Sequence, residues 1–117
     1  MILETKIYLI AVMELVDGDL HDLLPSIHGK EAVVDVFHQI LLGYQYIVQH
    51  GYYHCDLSLE NIAVKLVPNH NRTGKARIIA KVSDFGRVRK MDSSGSAIIA
   101  EDEIAGKPYY LAPEAYC

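Results

Sequence analysis

The chain has 117 residues, half of them apolar and 22% charged, with a formal net charge of −4. That balance fits one globular unit and excludes a disordered chain, and its mild acidity argues against a nucleic-acid binder. No run reaches the roughly 18 apolar residues of a membrane span, the N-terminus lacks the pattern of a secretory signal, and Cys55 and Cys117 alone make no disulfide framework, which points to an intracellular, cytoplasmic setting.

Ile7 to Val16 is apolar, rich in branched residues and broken only by Glu14. Its length predicts a buried strand. Asp17-Gly18-Asp19 reads as a turn, and Asp19 as the N-cap of a short helix that stops at Pro25. Glu31 to His50 is the clearest helix. Val33, Val34, Phe37, Ile40, Leu41, Tyr44, Ile47 and Val48 recur at helical steps, and Gly51 is placed to end it. Gly43, inside the helix, suggests a close contact with a neighbouring helix. Ile62–Val67 and Arg77–Val82 read as two strands of a hairpin with a long polar tip. Residues 87–105 show no sustained periodicity, and Ser93, Ser94 and Ser96 are candidate phosphate acceptors there. The six histidines show no spacing of a metal site.

Three motifs follow in order. His54-Cys55-Asp56-Leu57-Ser58-Leu59-Glu60-Asn61 fits H-x-D-L-x-x-x-N, Asp84-Phe85-Gly86 follows a strand, and Ala112-Pro113-Glu114 comes last. Together, placed after a long helix and around a hairpin, they resemble the eukaryotic protein kinase family. The resemblance covers nearly the whole chain. It implies an α+β, protein-kinase-like fold that is partial: a hinge strand, then the first portion of a mainly helical C-lobe with catalytic loop, β-hairpin and activation segment.

The implied chemistry is phosphoryl transfer from ATP to a protein substrate, with Mg²⁺. Asp56 matches the catalytic aspartate that orients the hydroxyl and takes its proton. Asn61 and Asp84 match the two metal-binding positions, and hard oxygen donors suit Mg²⁺. By the same resemblance Met13 is the gatekeeper, and the backbones of Glu14 and Val16 face the adenine edge. Asp19 meets the ribose, and Ala63 floors the base. Plain core packing is the bland alternative for Met13, Val16 and Ala63. His54 and Phe85 match packed positions of the family's regulatory spine.

The sequence departs from the family in two places. Cys55 replaces the arginine that pairs with a phosphorylated activation loop, so that contact is dispensable here. Ser58 stands where serine/threonine-specific members carry a lysine that meets the γ-phosphate. Lys107, in Gly106-Lys107-Pro108-Tyr109-Tyr110, replaces a threonine near the catalytic aspartate. Lys107 is therefore a candidate to supply the missing cation, against the bland alternative of a solvated lysine.

No G-x-G-x-x-G and no V-A-I-K-type lysine precede the hinge, and the chain ends three residues after Glu114. The expectation is a middle slice of a kinase domain over residues 1–117, with the N-lobe largely absent and later C-lobe helices absent. Such a slice would not transfer phosphate alone. A serine/threonine protein kinase is the leading reading for the complete domain. The alternatives are a non-catalytic kinase-like binding module and a kinase-like small-molecule phosphotransferase. The long segment ending in Ala112-Pro113-Glu114 favours a protein substrate over a small one.

Overall fold

A computed structural model describes residues 6–68, 76–96 and 108–116. The organising element is helix α2, Lys30–Gln49. It packs on a three-stranded antiparallel sheet of order β1-β3-β4, with β1 at Gly18–Asp19, β3 at Ile62–Pro68 and β4 at Ala76–Val82. A helix on one face of an antiparallel sheet is the α+β arrangement expected from the sequence.

Side chains alternate across the sheet, so the pairing Val64↔Ala80 puts both residues on the helix side. There they join Leu20, Val36, Ile40 and Ile62 to form the buried core. Leu20 comes from the short helix α1, Leu20–Leu23. Asp19 caps α1 by accepting the Asp22 N–H at 2.9 Å, and Pro25 lies in the 3₁₀ turn Leu24–Ser26 that follows. The cap and the stop are those the sequence implies.

The end of α2 also follows its residues. Gly51 takes φ +83°, a left-handed conformation that favours glycine, and its N–H bonds the Val48 carbonyl at 3.0 Å. Gly43 does mark a close approach, but to a strand rather than a helix. A Cβ there would lie 3.3 Å from Val82 Cγ2.

Three expectations change. Ile7–Val16 forms no strand, and Ile7 to Leu15 are exposed, with Leu9 at 101% and Val12 at 96%. A strand exists only with a ladder partner, and among the described residues none pairs with this segment. Gly18–Asp19, read as a turn, is instead β1, because Asp17 donates its N–H to the Val64 carbonyl at 2.9 Å and accepts the Leu66 N–H at 2.7 Å. Residues 87–105, read as loop, contain β5 at Arg89–Lys90, which pairs with β2 at Tyr52–Tyr53. A compact turn follows it. There Asp92 Oδ1 accepts the Ser94 N–H, the Ser96 N–H and the Ser94 hydroxyl, the last at 2.6 Å. The hairpin tip lies outside the described residues.

Gln39 closes the edge of the sheet. β4 is an edge strand, and its outward backbone groups need partners. The Gln39 amide provides them, accepting the Ala80 N–H at 2.8 Å and donating to the Ile78 carbonyl at 3.1 Å. Gln39→Leu keeps the bulk but removes both bonds. It is expected to destabilise the fold by about 1–2 kcal/mol, read as a lower urea midpoint with an unchanged slope. An unchanged midpoint would show that water replaces the amide without loss.

Candidate active site

The loop His54–Asn61 follows α2 through Gly51 and β2, and the Asp84-Phe85-Gly86 turn leads into β5. Pairing of β2 with β5, extended by the Met91 N–H on the Gly51 carbonyl at 2.9 Å, ties the approach to one motif to the exit of the other.

His54 is fully buried at the junction. Its Nε2 lies 2.7 Å from the Ser83 carbonyl, and its Nδ1 lies 3.2 Å from the Asp56 amide nitrogen. A carbonyl only accepts and an amide N–H only donates, so the pair selects the neutral ring protonated at Nε2. The ring also meets Phe85 edge-on, with centroids 5.6 Å apart. The packed His54–Phe85 pair implied by the resemblance is present, although Phe85 remains 53% exposed on its other side.

Asp56 and Asn61 are in direct contact. Asn61 Nδ2 donates to the Asp56 carbonyl at 2.7 Å and to its Oδ2 at 3.1 Å. The 3₁₀ turn Leu59–Asn61 brings the two together, and Asn61 is itself buried. The Asn61 carbonyl then accepts both the N–H of Ser83, at 2.8 Å, and its hydroxyl, at 3.0 Å. Ser83 thus links the catalytic loop, through Asn61 and His54, to the residue next in sequence, Asp84. Sequence reasoning missed Ser83, whose only signal is its place directly before Asp84.

Asp84 has φ +58°, uncommon for any residue with a side chain, and its Oδ1 accepts the Gly86 N–H at 3.3 Å. Cys55 is the other non-glycine residue at positive φ among those described, at +65°, and its Sγ lies 3.6 Å from the Tyr53 carbonyl. Both stand next to residues held by His54.

The residues expected to face the nucleotide are partly brought together. Asp19 pairs with Ala63, and Ala63 pairs with Lys81, so the three form a row on the sheet face opposite the core. Glu14 is drawn to the same sheet by Lys65 and Lys81. These bonds, Lys81 first and Lys65 second, hold the Glu14 carboxyl below its ordinary range. A lowered value means the pairs are intact at neutral pH and are lost only as pH falls through it. No local pattern signals these pairs, because their partners lie far apart in sequence. Met13 is 83% exposed and Val16 half-buried.

Pro113 and Glu114 of the last motif begin the 3₁₀ turn Pro113–Tyr116, directly after Ala112. Tyr110, just before it, shares with Phe37, Leu57 and Leu59 an open apolar cavity of about 160 Å³ beside the catalytic loop. Lys107 lies outside the described residues. One histidine stands in a cluster of possible ligand atoms. Asp19, His21 and Asp22 bring ligand-type atoms within 4.8 Å of one another. His21 and Asp22 are exposed and Asp19 is half-buried, and the α1 cap and the His21–Asp22 contact at 3.2 Å account for the grouping.

The protein kinase domain family matches residues 1–116, so the chain belongs to that family. Its relatives are mostly named serine/threonine kinases. It is 33% identical to the sporulation protein kinase mde3 of Schizosaccharomyces pombe over 107 residues, covering 88% of this chain and 18% of that one. A serine/threonine-protein kinase of Candida glabrata is 34% identical, covering 98% of this chain and 14% of its own length. The smooth muscle myosin light chain kinase of Gallus gallus is 31% identical, covering 95% and 5%. The chain therefore spans less than a fifth of each of these relatives. No helix among the described residues is long and apolar enough to cross a membrane.

Proposed function

We propose that residues 1–117 are the catalytic-loop portion of a serine/threonine protein kinase domain, which when complete transfers the γ-phosphoryl group of ATP to protein hydroxyls. The observation that carries this reading is the hydrogen-bonded chain Asp56–Asn61–Ser83–His54, which joins the catalytic loop to the strand end that bears Asp84.

In this reading Asp56 orients the substrate hydroxyl and accepts its proton. Asn61 and Asp84 hold Mg²⁺. Asn61 directs its amide N–H at Asp56, so what it offers a cation is the Oδ1 carbonyl oxygen. Asp84 offers a carboxylate, and such hard oxygen donors fit Mg²⁺. A divalent ion there supplies neutralisation of phosphate charge. Adenine lies against the backbones of Glu14 and Val16, with Met13 as gatekeeper, Ala63 beneath the base and Asp19 toward the ribose. Lys107 supplies the cation at the γ-phosphate that Ser58 cannot.

The test is ATP-dependent labelling by the complete domain that carries this segment, offered protein and small-molecule acceptors side by side. Labelled protein serine or threonine is expected, and Lys107→Ala is expected to lower turnover by about 10²-fold. Labelling of the small molecule alone would replace this reading with a small-molecule phosphotransferase. ATP binding without transfer would replace it with a binding module. Unchanged turnover in Lys107→Ala would remove that lysine from the mechanism.

A further inference from the structure

The sheet face opposite the core carries a cluster of charge away from the catalytic loop. Residues two apart in a strand share a face, as do cross-strand partners. Ala63, Lys65 and Lys81 therefore stand together, since Ala63 pairs with Lys81. Glu14 joins them from the segment before β1. Its Oε1 accepts Lys65 Nζ at 3.2 Å, and its Oε2 accepts Lys81 Nζ at 2.6 Å. Each carboxylate oxygen has its own ammonium, and the two ammonium groups come from different strands.

What these bonds hold is a segment with little other anchorage. Among the described residues, its first backbone bond to the sheet is the Asp17 N–H on the Val64 carbonyl. Upstream of it the side chains of Ile7, Leu9, Val12 and Leu15 are all exposed. Without Glu14, the backbone of Met13–Val16 would be fixed at one end only. With it, the segment is held at Asp17 by hydrogen bonds and at Glu14 by ion pairs.

The groups are half-exposed, at 45% for Glu14 and 42% for each lysine. Exposed pairs add little to overall stability. Their effect here is on position, and it is screened by salt.

We propose that Glu14, Lys65 and Lys81 form an ionic clamp that sets the backbone of Met13–Val16 over Ala63, which makes all three positioning residues for nucleotide affinity and makes that affinity depend on ionic strength. The proposal rests on the reading of Met13–Val16 as the adenine-facing segment.

The experiment is backbone ¹⁵N relaxation on the labelled chain, followed by titration with MgATP. The heteronuclear NOE of Met13–Val16 is expected to fall in Glu14→Gln. It should fall equally in the wild type at about 1 M NaCl, where the screening length is roughly 3 Å. It should recover in the inverted triple variant Glu14→Lys, Lys65→Glu, Lys81→Glu. The dissociation constant for MgATP should rise roughly three- to tenfold in Glu14→Gln and recover with the inversion. The amides of Val64 and Ala80 report whether each variant is folded, and the salt arm needs no substitution. An NOE that is the same in wild type, Glu14→Gln and high salt overturns the clamp, whatever ATP does. An NOE that responds while MgATP leaves Ala63 unshifted supports the clamp and overturns the adenine reading instead.

Discussion

Replacing Asp56 with Asn in the complete domain is expected to lower kcat by about 10³-fold while the KM for ATP changes by less than about threefold. Asn is the informative substitution because it keeps the size of the side chain and an oxygen that can accept from Asn61 Nδ2. The contact between positions 56 and 61, at 3.1 Å through the side chain and 2.7 Å through the Asp56 carbonyl, can therefore persist. In the proposed mechanism, what is lost is the group that takes the proton and the negative charge that orients the hydroxyl. Steady-state kinetics over ATP and protein substrate measure this split. A kcat within tenfold of wild type would remove Asp56 from the proton-accepting role, and a large rise in KM would assign it to binding instead.

The second large effect is on folding. His54→Ala is expected to destabilise the fold by about 3 kcal/mol. The ring is 0% exposed, touches Phe85, and bonds the Ser83 carbonyl and the Asp56 N–H. Truncation leaves a cavity and two polar groups without their partner. His54→Phe separates these terms, because it fills the volume and keeps the ring contact but restores neither bond. It is expected to cost about 2 kcal/mol. Urea unfolding of the two variants measures both. A His54→Phe variant as stable as wild type would show that packing alone accounts for the histidine.

Much of the scaffold was legible in the sequence because its causes are local. Periodicity predicts a helix from Glu31 to His50, and α2 runs Lys30–Gln49. Asp19 and Gly51 act as cap and stop because their conformational preferences act on adjacent residues. Two apolar runs around a polar tip give β3 and β4 within a residue or so. Asp56, Asn61 and the Asp84 motif stand out because a short loop and a strand end need them close in sequence. What was not legible depends on distant partners. A branched apolar run such as Ile7–Val16 has the composition of a strand, but only a neighbouring ladder makes it one. The two-residue pairs of β1 and β2 carry no periodicity to read. Ser83 reads as any small polar residue until its bonds to Asn61 are seen. Glu14 looks like an interruption in an apolar run, and its two lysines belong to a hairpin that begins long after it.

The antiparallel pairing of Gly18 with Val64 has a consequence for how the chain is made. The ribosome delivers Gly18–Asp19 before α2 and before the strand that receives it. At roughly 5–20 residues per second, about 2–9 s pass between synthesis of Gly18 and of Val64. Throughout that interval the apolar side chains of Ile7, Leu9, Val12 and Leu15 have no sheet to approach, and in the fold of this segment they remain exposed. Until β3 has been made, this apolar stretch is thus a good substrate for a holding chaperone.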